Sequence, residues 1–185
     1  MADYYLTTPL KDEDVAKLRV GDMVYLSGVV YTARDAAHKR MAGMRERGEK
    51  LPIPLEGCVL FYVGPTPPPP GRALGASTPT SAYRMDPFAP TFHSWGVKAT
   101  IGKGKRSDAF RKSLQDYNAV YLCGPSGCGA MLGRSVIEAE LLAFPELGPE
   151  AVRRFVLKDM PLTVFYDSVG GKIFVDPDLK AVGLE

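Results

Sequence analysis

The sequence has few of the residues that hold a metal or a disulfide. Its 185 residues include three cysteines, two histidines and one tryptophan. An odd number of cysteines does not form a disulfide framework, and the spacing of Cys58, Cys123 and Cys128 matches no zinc-ligand pattern. We therefore expect buried, inert thiols in a reducing compartment, with no metal held by this chain alone.

Targeting signals and long apolar runs are also missing. The first 20 residues carry charges throughout, and no run approaches the roughly 18 apolar residues that a membrane span needs. The net charge is only +2, which gives no general attraction to nucleic acids or membranes. We predict a soluble, cytoplasmic protein whose residues 1–185 form one domain.

Strand-like and helix-like segments alternate along the chain, which predicts an α/β fold with a mixed or parallel sheet packed with helices. Strands buried on both faces are predicted at 23–30 and 57–63, and shorter ones at 97–101 and 119–123. Helices are predicted at 12–18, 33–49, 107–117 and 130–143, with Ser107 as the N-cap of the third. A hairpin of 163–168 with 172–175 is predicted around Val169, Gly170 and Gly171.

The first candidate site follows the strand at 23–30. Thr32 is predicted to cap the next helix, with Asp35 closing a capping-box-like turn. Arg34 then lies in the first turn, where a cation opposes the helix dipole unless it faces a ligand's negative charge. A solvated surface arginine is the alternative. His38 follows one turn later and either faces the same site or bonds a neighbouring carbonyl group.

A second candidate site lies at residues 78–86, which are rich in hydroxyl groups. Thr80 or Ser81 is predicted to cap a short helix, and Arg84 would then lie on the same face. Two hydroxyl groups beside a guanidinium suit a carboxylate ligand, although an ordinary capped helix with a surface arginine is the alternative. Asp86 is expected to pair with Arg84 or Arg34, or to be a plain surface charge.

Two glycine-rich loops complete the candidates. Lys103 lies between Gly102 and Gly104, which leaves room for a ligand near the backbone, or makes a flexible basic turn. The full Walker pattern is absent, which argues against a nucleoside triphosphate site. The loop at 124–129 has a G-x-S-x-G pattern that fails at its last position, Cys128, so a serine hydrolase is disfavoured. This loop is expected to pack closely or to cradle an anion.

These motifs together resemble a known family. In order, they are Gly21-Asp22-x-Val24-x-Leu26-Ser27-Gly28, Thr32-Ala33-Arg34-Asp35-Ala36-Ala37-His38, Gly64-Pro65, Thr80-Ser81-x-x-Arg84-Met85-Asp86 and Gly102-Lys103-Gly104. They resemble the β-subunit, or C-terminal domain, of class I iron–sulfur fumarate hydratases and L-tartrate dehydratases. The resemblance covers nearly the whole chain. The glycine-rich loop at 124–129 and the proline-rich loop at 66–70 depart from the family's usual pattern.

The resemblance implies a swivelling β/β/α domain and the reversible hydration of fumarate to L-malate. It implies a hetero-oligomer in which a partner α-subunit, and not this chain, holds a [4Fe–4S] cluster that acts as Lewis acid on the substrate hydroxyl. L-tartrate dehydratase and a non-catalytic dicarboxylate-binding or regulatory module are the alternatives.

The resemblance also assigns residues. It makes Arg34, Arg84 and Lys103 the substrate-carboxylate residues, and it places Thr80 near the proton-abstraction step. Ser81 stands beside Thr80 as a second hydroxyl for the substrate. Thr80 and Lys103 are thus the expected catalytic residues, while the expected supporting residues behind them are Asp35, His38 and Asp86.

Overall fold

The computed structural model describes residues 1–125 and 127–173. Its elements are β1 (Asp3–Thr7), α1 (Asp12–Ala16), β2 (Met23–Thr32), α2 (Asp35–Glu46), β3 (Val59–Phe61), a 3-10 turn (Ala82–Met85), α3 (Ala89–Ser94), β4 (Ala99–Gly102), α4 (Asp108–Asp116), β5 (Val120–Cys123), α5 (Gly129–Arg134), β6 (Val136–Ala143), a second 3-10 segment (Pro145–Glu150) and β7 (Val152–Tyr166). No helix in these described ranges is long and apolar enough to cross a membrane.

The strands form a mixed sheet, which confirms the predicted α/β class. β1 to β5 pair in parallel in sequence order. β7 runs antiparallel to both β5 and β2, so the pairings β2–β3–β4–β5–β7–β2 make a closed circuit. β6 pairs with the first half of β7. Because β2 to β5 are parallel, the loops that leave their carboxyl ends emerge at one edge of the sheet.

Alternate residues of the central strands enter two separate apolar clusters. Val59 and Phe61 of β3 pack with residues of β2, β4, β5 and β7. Leu60 and Tyr62 pack instead against the helices, with side chains such as Phe92. This period of two is what a strand buried on both faces requires.

In this part of the chain three predictions are confirmed, and the predicted burial of β2 on both faces is wrong. The helix at α1, the strands β3 to β5 and the cap of α4 are confirmed; the Ser107 hydroxyl accepts a hydrogen bond from Phe110 N at 3.3 Å. β2, however, is not buried on both faces: Val24 and Leu26 are buried, whereas Met23, Tyr25 and Ser27 are only partly buried.

The helix predicted at 130–143 is wrong beyond its first turns. α5 ends at Arg134, and Val136–Ala143 forms strand β6. β6 pairs with β7 from Val136 opposite Leu157 to Ala143 opposite Val152. The alanine, glutamate and leucine residues of this segment favour helix by only a few tenths of a kcal/mol each, roughly, and a ladder of strand hydrogen bonds outweighs that preference.

The terminal hairpin agrees with the prediction within the described residues. Tyr166 forms an antiparallel bridge with Lys172, and the Asp167 carboxylate accepts a hydrogen bond from Gly171 N at 2.7 Å. β7 itself is much longer than the predicted strand, because it begins at Val152. The predicted end of the hairpin at 174–175 lies outside the described residues.

Candidate functional site

The predicted site residues emerge at the edge where the parallel strands end. Arg34 follows the end of β2, and Lys103 directly follows β4. The loop between β3 and α3 folds back to the same edge, since Val63 pairs with Pro79 and Ser81 pairs with Lys103. The parallel sheet thus collects side chains that are far apart in sequence.

Backbone hydrogen bonds hold the hydroxyl loop (residues 78–86) against the lysine loop (residues 102–104). Lys103 N donates to Thr80 O at 3.3 Å, and Ala82 N donates to Lys103 O at 3.0 Å. Thr80 N also donates to Tyr62 O at 2.8 Å, just past the end of β3. Thr80, Ser81 and Lys103 are therefore neighbours on one short piece of paired backbone.

Arg84 contacts Thr80, as its position four residues later predicts. Arg84 Nη2 donates to the Thr80 hydroxyl at 2.8 Å across the 3-10 turn. Ser81 occupies the predicted N-cap position of this turn, but its side chain makes no capping hydrogen bond. A guanidinium beside the Thr80 oxygen favours any negative charge that develops there.

Arg34 and Arg84 meet at one carboxylate. Arg34 Nε lies 4.0 Å from Asp35 Oδ1, and Arg84 Nη1 lies 3.7 Å from Asp35 Oδ2. The Arg34 side chain is only 18% exposed, and its Nη2 contacts Glu150 Oε1 at 2.9 Å. Glu150 was not predicted, because it lies on the second 3-10 segment, far away in sequence.

Thr32 does not cap α2, so that prediction is wrong. It is the last residue of β2, and the backbone of Arg34 takes the N-cap position. The buried Thr32 hydroxyl instead donates to Ala151 O at 3.1 Å and accepts from Arg153 N at 3.0 Å. These two backbone groups lie beside the start of β7. Because the hydroxyl bonds to them, it is not available to cap α2.

His38 bonds to the backbone of Arg34 and does not face the candidate site. The ring is fully buried, and Nδ1 lies 2.8 Å from Arg34 O. A carbonyl oxygen only accepts, so Nδ1 carries the proton. Burial lowers the pKa of His38 from 6.5 to about 4, which keeps the ring neutral near pH 7. The alternative in which His38 bonds a carbonyl group therefore fits the structure.

Asp86 pairs with neither Arg84 nor Arg34, contrary to expectation. Its Oδ1 lies 2.5 Å from Arg106 Nε, and its Oδ2 accepts from Ser107 N at 2.6 Å. The Arg106 side chain is fully buried and lies over the Phe110 ring, with Cζ 3.3 Å from the ring centroid. The sequence pattern does not single out Arg106 as the partner of Asp86.

An open cavity of about 490 Å³ lies beside the lysine loop. It is lined by Ser81, Lys103, Gly104, Cys123, Gly124, Pro125, Thr163 and Phe165. The structure thus brings Ser81 and Lys103 to one cavity, whereas Arg34, Thr80 and Arg84 lie outside its lining. A larger cavity of about 760 Å³ is elsewhere, around Leu51 and Trp95.

The two glycines beside Lys103 serve different purposes. A Cβ at Gly102 would lie 2.8 Å from the Ala82 Cβ, so the protein itself fills that space. Gly104 has φ +87° and open space around it. Only Gly104 therefore leaves the room for a ligand that the sequence predicts for both, and its positive φ also favours glycine.

The three cysteines differ in burial, although all three are expected from the sequence to be buried. Cys58 and Cys123 are buried, while Cys128 is half-buried. Burial raises the pKa of Cys123 to about 11, so this thiol is protonated at neutral pH. Within residues 1–125 and 127–173, no group of three or more His, Cys, Asp or Glu side chains is arranged to hold a metal ion. The described residues do not fit an iron–sulfur cluster.

Comparison with known proteins identifies relatives across nearly the whole chain. A Methanocaldococcus jannaschii protein, named provisionally as an L(+)-tartrate dehydratase β-subunit, is 36% identical over 182 residues, or 95% of this chain and 93% of that protein. The L(+)-tartrate dehydratase β-subunit of Escherichia coli strain K12 is 32% identical over 176 residues, or 92% of this chain and 86% of that protein.

Fumarate hydratase 2 of Leishmania major is also related, with 34% identity over 164 residues. That match covers 88% of this chain but 29% of the longer Leishmania protein. The family model described as the fumarase C-terminus matches residues 3–176. This chain belongs to the fumarase C-terminal family.

Proposed function

We propose that this chain is the β-subunit of a two-chain hydro-lyase that reversibly hydrates fumarate to L-malate. The observation that carries the proposal is the convergence of Arg34 and Arg84 on Asp35, with Arg84 bound to Thr80 and Lys103 paired with the same loop. The relatives support the reaction class, because their names are those of fumarate hydratases and tartrate dehydratase β-subunits.

The charges of this site suit a small dicarboxylate. Arg34, Arg84 and Lys103 are three cations, and Asp35 and Glu150 are two carboxylates beside the arginines. The net positive charge favours a dianion, whose desolvation is costly unless cations and hydrogen-bond donors replace water. Each planar arginine can bind a carboxylate through two parallel hydrogen bonds.

The same cations suit the charge that develops during hydration. In the dehydration direction a proton leaves the carbon beside a carboxylate, and negative charge builds up on that carboxylate group; in the hydration direction the same charge builds up as the hydroxyl group adds to the other carbon and is lost when the proton is taken up. Fixed cations placed there stabilise this charge more than they stabilise the ground state. Arg34, Arg84 and Lys103 are assigned this role, and Ser81 is assigned a hydrogen bond to the substrate.

Thr80 is assigned to the proton transfer, with Lys103 as its electrostatic partner. A threonine hydroxyl is a weak base at neutral pH, so it needs neighbouring positive charge. Arg84 Nη2 lies 2.8 Å from the hydroxyl oxygen, and Lys103 N lies 3.3 Å from Thr80 O. The guanidinium of Arg84 therefore lies next to the Thr80 hydroxyl, whereas Lys103 is joined to Thr80 through the two backbones.

The [4Fe–4S] cluster is assigned to a partner α-subunit, where it would supply Lewis-acid chemistry. No step described for this chain passes through it, because the described residues do not fit the cluster. Two observations support a partner: relatives of similar length are named β-subunits, and the match covers 29% of the Leishmania fumarate hydratase.

L-tartrate is the second candidate substrate. The relatives that this chain matches over most of their own length, 93% and 86%, bear tartrate dehydratase names. Both substrates are four-carbon dicarboxylates, so the same cations would serve for either one. The hydrated species differ in one hydroxyl group, since L-malate has one and L-tartrate has two, and the carboxylate-binding residues do not distinguish this.

Co-expression with an α-type partner chain, followed by anaerobic purification, tests the function. We expect a brown complex that hydrates fumarate, with little activity on L-tartrate. The opposite substrate preference would assign the chain to the tartrate dehydratases. A complex that binds dicarboxylates without turnover would identify a binding module, and full activity of this chain alone, free of iron, would contradict the proposal.

A further inference from the structure

The guanidinium of Arg34 has a neighbour on each of three sides. Nη2 lies 2.9 Å from Glu150 Oε1, while Nε is buried without a hydrogen-bond partner and lies 4.0 Å from Asp35 Oδ1. On the third side, a Cβ at Gly64 would lie 3.2 Å from Nη1, so the backbone of Gly64 closely approaches that nitrogen. A long, flexible side chain is thereby kept in one place.

Of these three neighbours, Glu150 lies on a segment that contacts from other parts of the fold hold in place. Its segment, Pro145–Glu150, is anchored just after its end, where Ala151 O accepts from the Thr32 hydroxyl at 3.1 Å and from Arg153 Nη1 at 3.3 Å. Arg153 Nη2 also donates to Gly148 O at 3.0 Å. Thr32 thus ties the segment that carries Glu150 to the strand end that carries Arg34.

We infer that Glu150 is a positioning residue that orients Arg34 for the substrate carboxylate. The inference rests on the proposed function, since it assumes that Arg34 binds the substrate. Arginine has many rotamers, and fixing its side chain on binding costs conformational entropy. A carboxylate that already pairs with Nη2 lowers that cost before the substrate arrives.

The charge of Glu150 opposes the substrate, while its oxygen, 2.9 Å from Nη2, helps to position Arg34. A carboxylate beside the site repels a dianion, so the pair is useful to binding only if orientation matters more than charge. The isosteric amide separates the two effects, because Glu150→Gln keeps an oxygen that can accept from Nη2 and removes the negative charge.

Steady-state kinetics of the assembled complex test the inference with Glu150→Ala and Glu150→Gln. We expect Glu150→Ala to lower kcat/KM about five- to tenfold, mainly through KM, and Glu150→Gln to stay within twofold of the wild type. Glu146→Ala is the matched control, because Glu146 lies on the same segment and pairs with the exposed Arg40; we expect it to change kcat/KM by less than twofold.

A double-mutant cycle with Arg34→Ala shows whether Glu150 acts through Arg34. We expect Glu150→Ala to have no further effect once Arg34 is absent. Additive losses would overturn the inference, and so would a Glu150→Ala complex with wild-type kcat/KM or a Glu150→Gln complex as impaired as Glu150→Ala. An inactive wild-type complex would instead contradict the proposed function.

If Glu150→Ala does not assemble, Gly64→Ala perturbs the contact between Arg34 and the segment that carries Glu150. The new Cβ would lie 3.2 Å from Arg34 Nη1, 3.3 Å from Pro149 Cβ and 3.4 Å from Pro149 O, so the guanidinium and the backbone next to Glu150 must shift by a few tenths of an ångström. We expect a raised KM with kcat within threefold of the wild type. An unchanged KM in an assembled Gly64→Ala complex would overturn the inference that the fixed position of Arg34 matters.

Discussion

Asp86 and Arg106 form a buried ion pair that joins the two loops of the candidate site. Asp86 follows the 3-10 turn that carries Arg84, and Arg106 lies three residues after Lys103. The pair, together with the hydrogen bond from Ser107 N to Asp86 Oδ2 at 2.6 Å, holds the end of one loop against the end of the other. The separation between the hydroxyl loop and the lysine loop therefore depends on a contact behind the site.

Breaking this pair is expected to destabilise the fold strongly. Asp86→Asn would leave the fully buried Arg106 guanidinium without its counter-ion, which costs on the order of 3–5 kcal/mol. Urea denaturation, followed by the fluorescence of the single tryptophan, Trp95, measures the loss. The exposed pair of Lys112 and Asp116 is the control: Asp116→Asn should cost about 0.5 kcal/mol or less. Similar losses in the two variants would contradict the role of the buried pair.

Thr32→Val is expected to destabilise the protein although valine has the same shape. The substitution leaves Ala151 O and Arg153 N without the hydroxyl that now bonds both. An unsatisfied buried backbone group costs roughly 1–3 kcal/mol. Denaturation by urea gives the loss, and Thr7→Val, at an exposed position of β1, should leave the unfolding free energy nearly unchanged. Equal stability of Thr32→Val and the wild type would show that the bridge is unimportant.

The two buried histidines predict a pH dependence of stability. Burial lowers the pKa of His38 from 6.5 to about 4 and that of His93 from 6.5 to about 3. Below pH 6.5 the unfolded chain binds protons that the folded chain does not, so stability is complete above about pH 6.5 and falls as the pH drops towards 4. Each histidine contributes a slope of at most about 1.4 kcal/mol per pH unit in this window.

His38→Asn separates one histidine from the other. Between about pH 5 and pH 6.5, where most carboxylates remain ionised, the variant should lose about half of the wild-type slope. Its absolute stability will also fall, but the slope is the quantity that reports on the titration. A wild-type slope in the variant would mean that His38 is not the buried neutral group that the structure shows.

Thr80 and Ser81 are expected to differ in their effects on catalysis. Thr80→Val removes the hydroxyl that Arg84 contacts and should lower kcat of the assembled complex by about a hundredfold or more, as for loss of a general base. Ser81→Ala should mainly raise KM. Normal turnover of Thr80→Val would remove Thr80 from the proton-transfer step.

Local contacts of the site could be predicted from sequence spacing. Thr80 and Arg84 meet because residues four apart share a face of a helical turn. The proximity of Arg34, Lys103 and the hydroxyl loop follows from the common direction of parallel strands. These inferences need only local geometry and the alternation of strands and helices.

Contacts between distant segments could not be predicted in the same way. Glu150 reaches Arg34 because β7 pairs antiparallel with β2, and the sequence pattern of the two strands does not specify this pairing. The sequence suggests Arg84 or Arg34 as the partner of Asp86, whereas its pairing with Arg106 depends on the packing of Arg106 over the Phe110 ring. β6 was missed for a related reason, since pairing with β7 overrides the helix preference of its residues.

The central claim is that Arg34, Arg84 and Lys103 bind the substrate carboxylates. The most direct test is kcat/KM for fumarate in the anaerobic complex with Arg34→Ala, Arg84→Ala and Lys103→Ala, beside Arg45→Ala as the control. Arg45 lies over the Trp95 ring, with Cζ 4.6 Å from its centroid, and contacts none of the candidate residues.

Loss of a charge-assisted hydrogen bond costs roughly 1.5–3 kcal/mol, or about ten- to a hundredfold in kcat/KM. We predict a loss of at least tenfold for each of the three site variants and less than twofold for Arg45→Ala. Wild-type kcat/KM in both Arg34→Ala and Arg84→Ala would contradict the account.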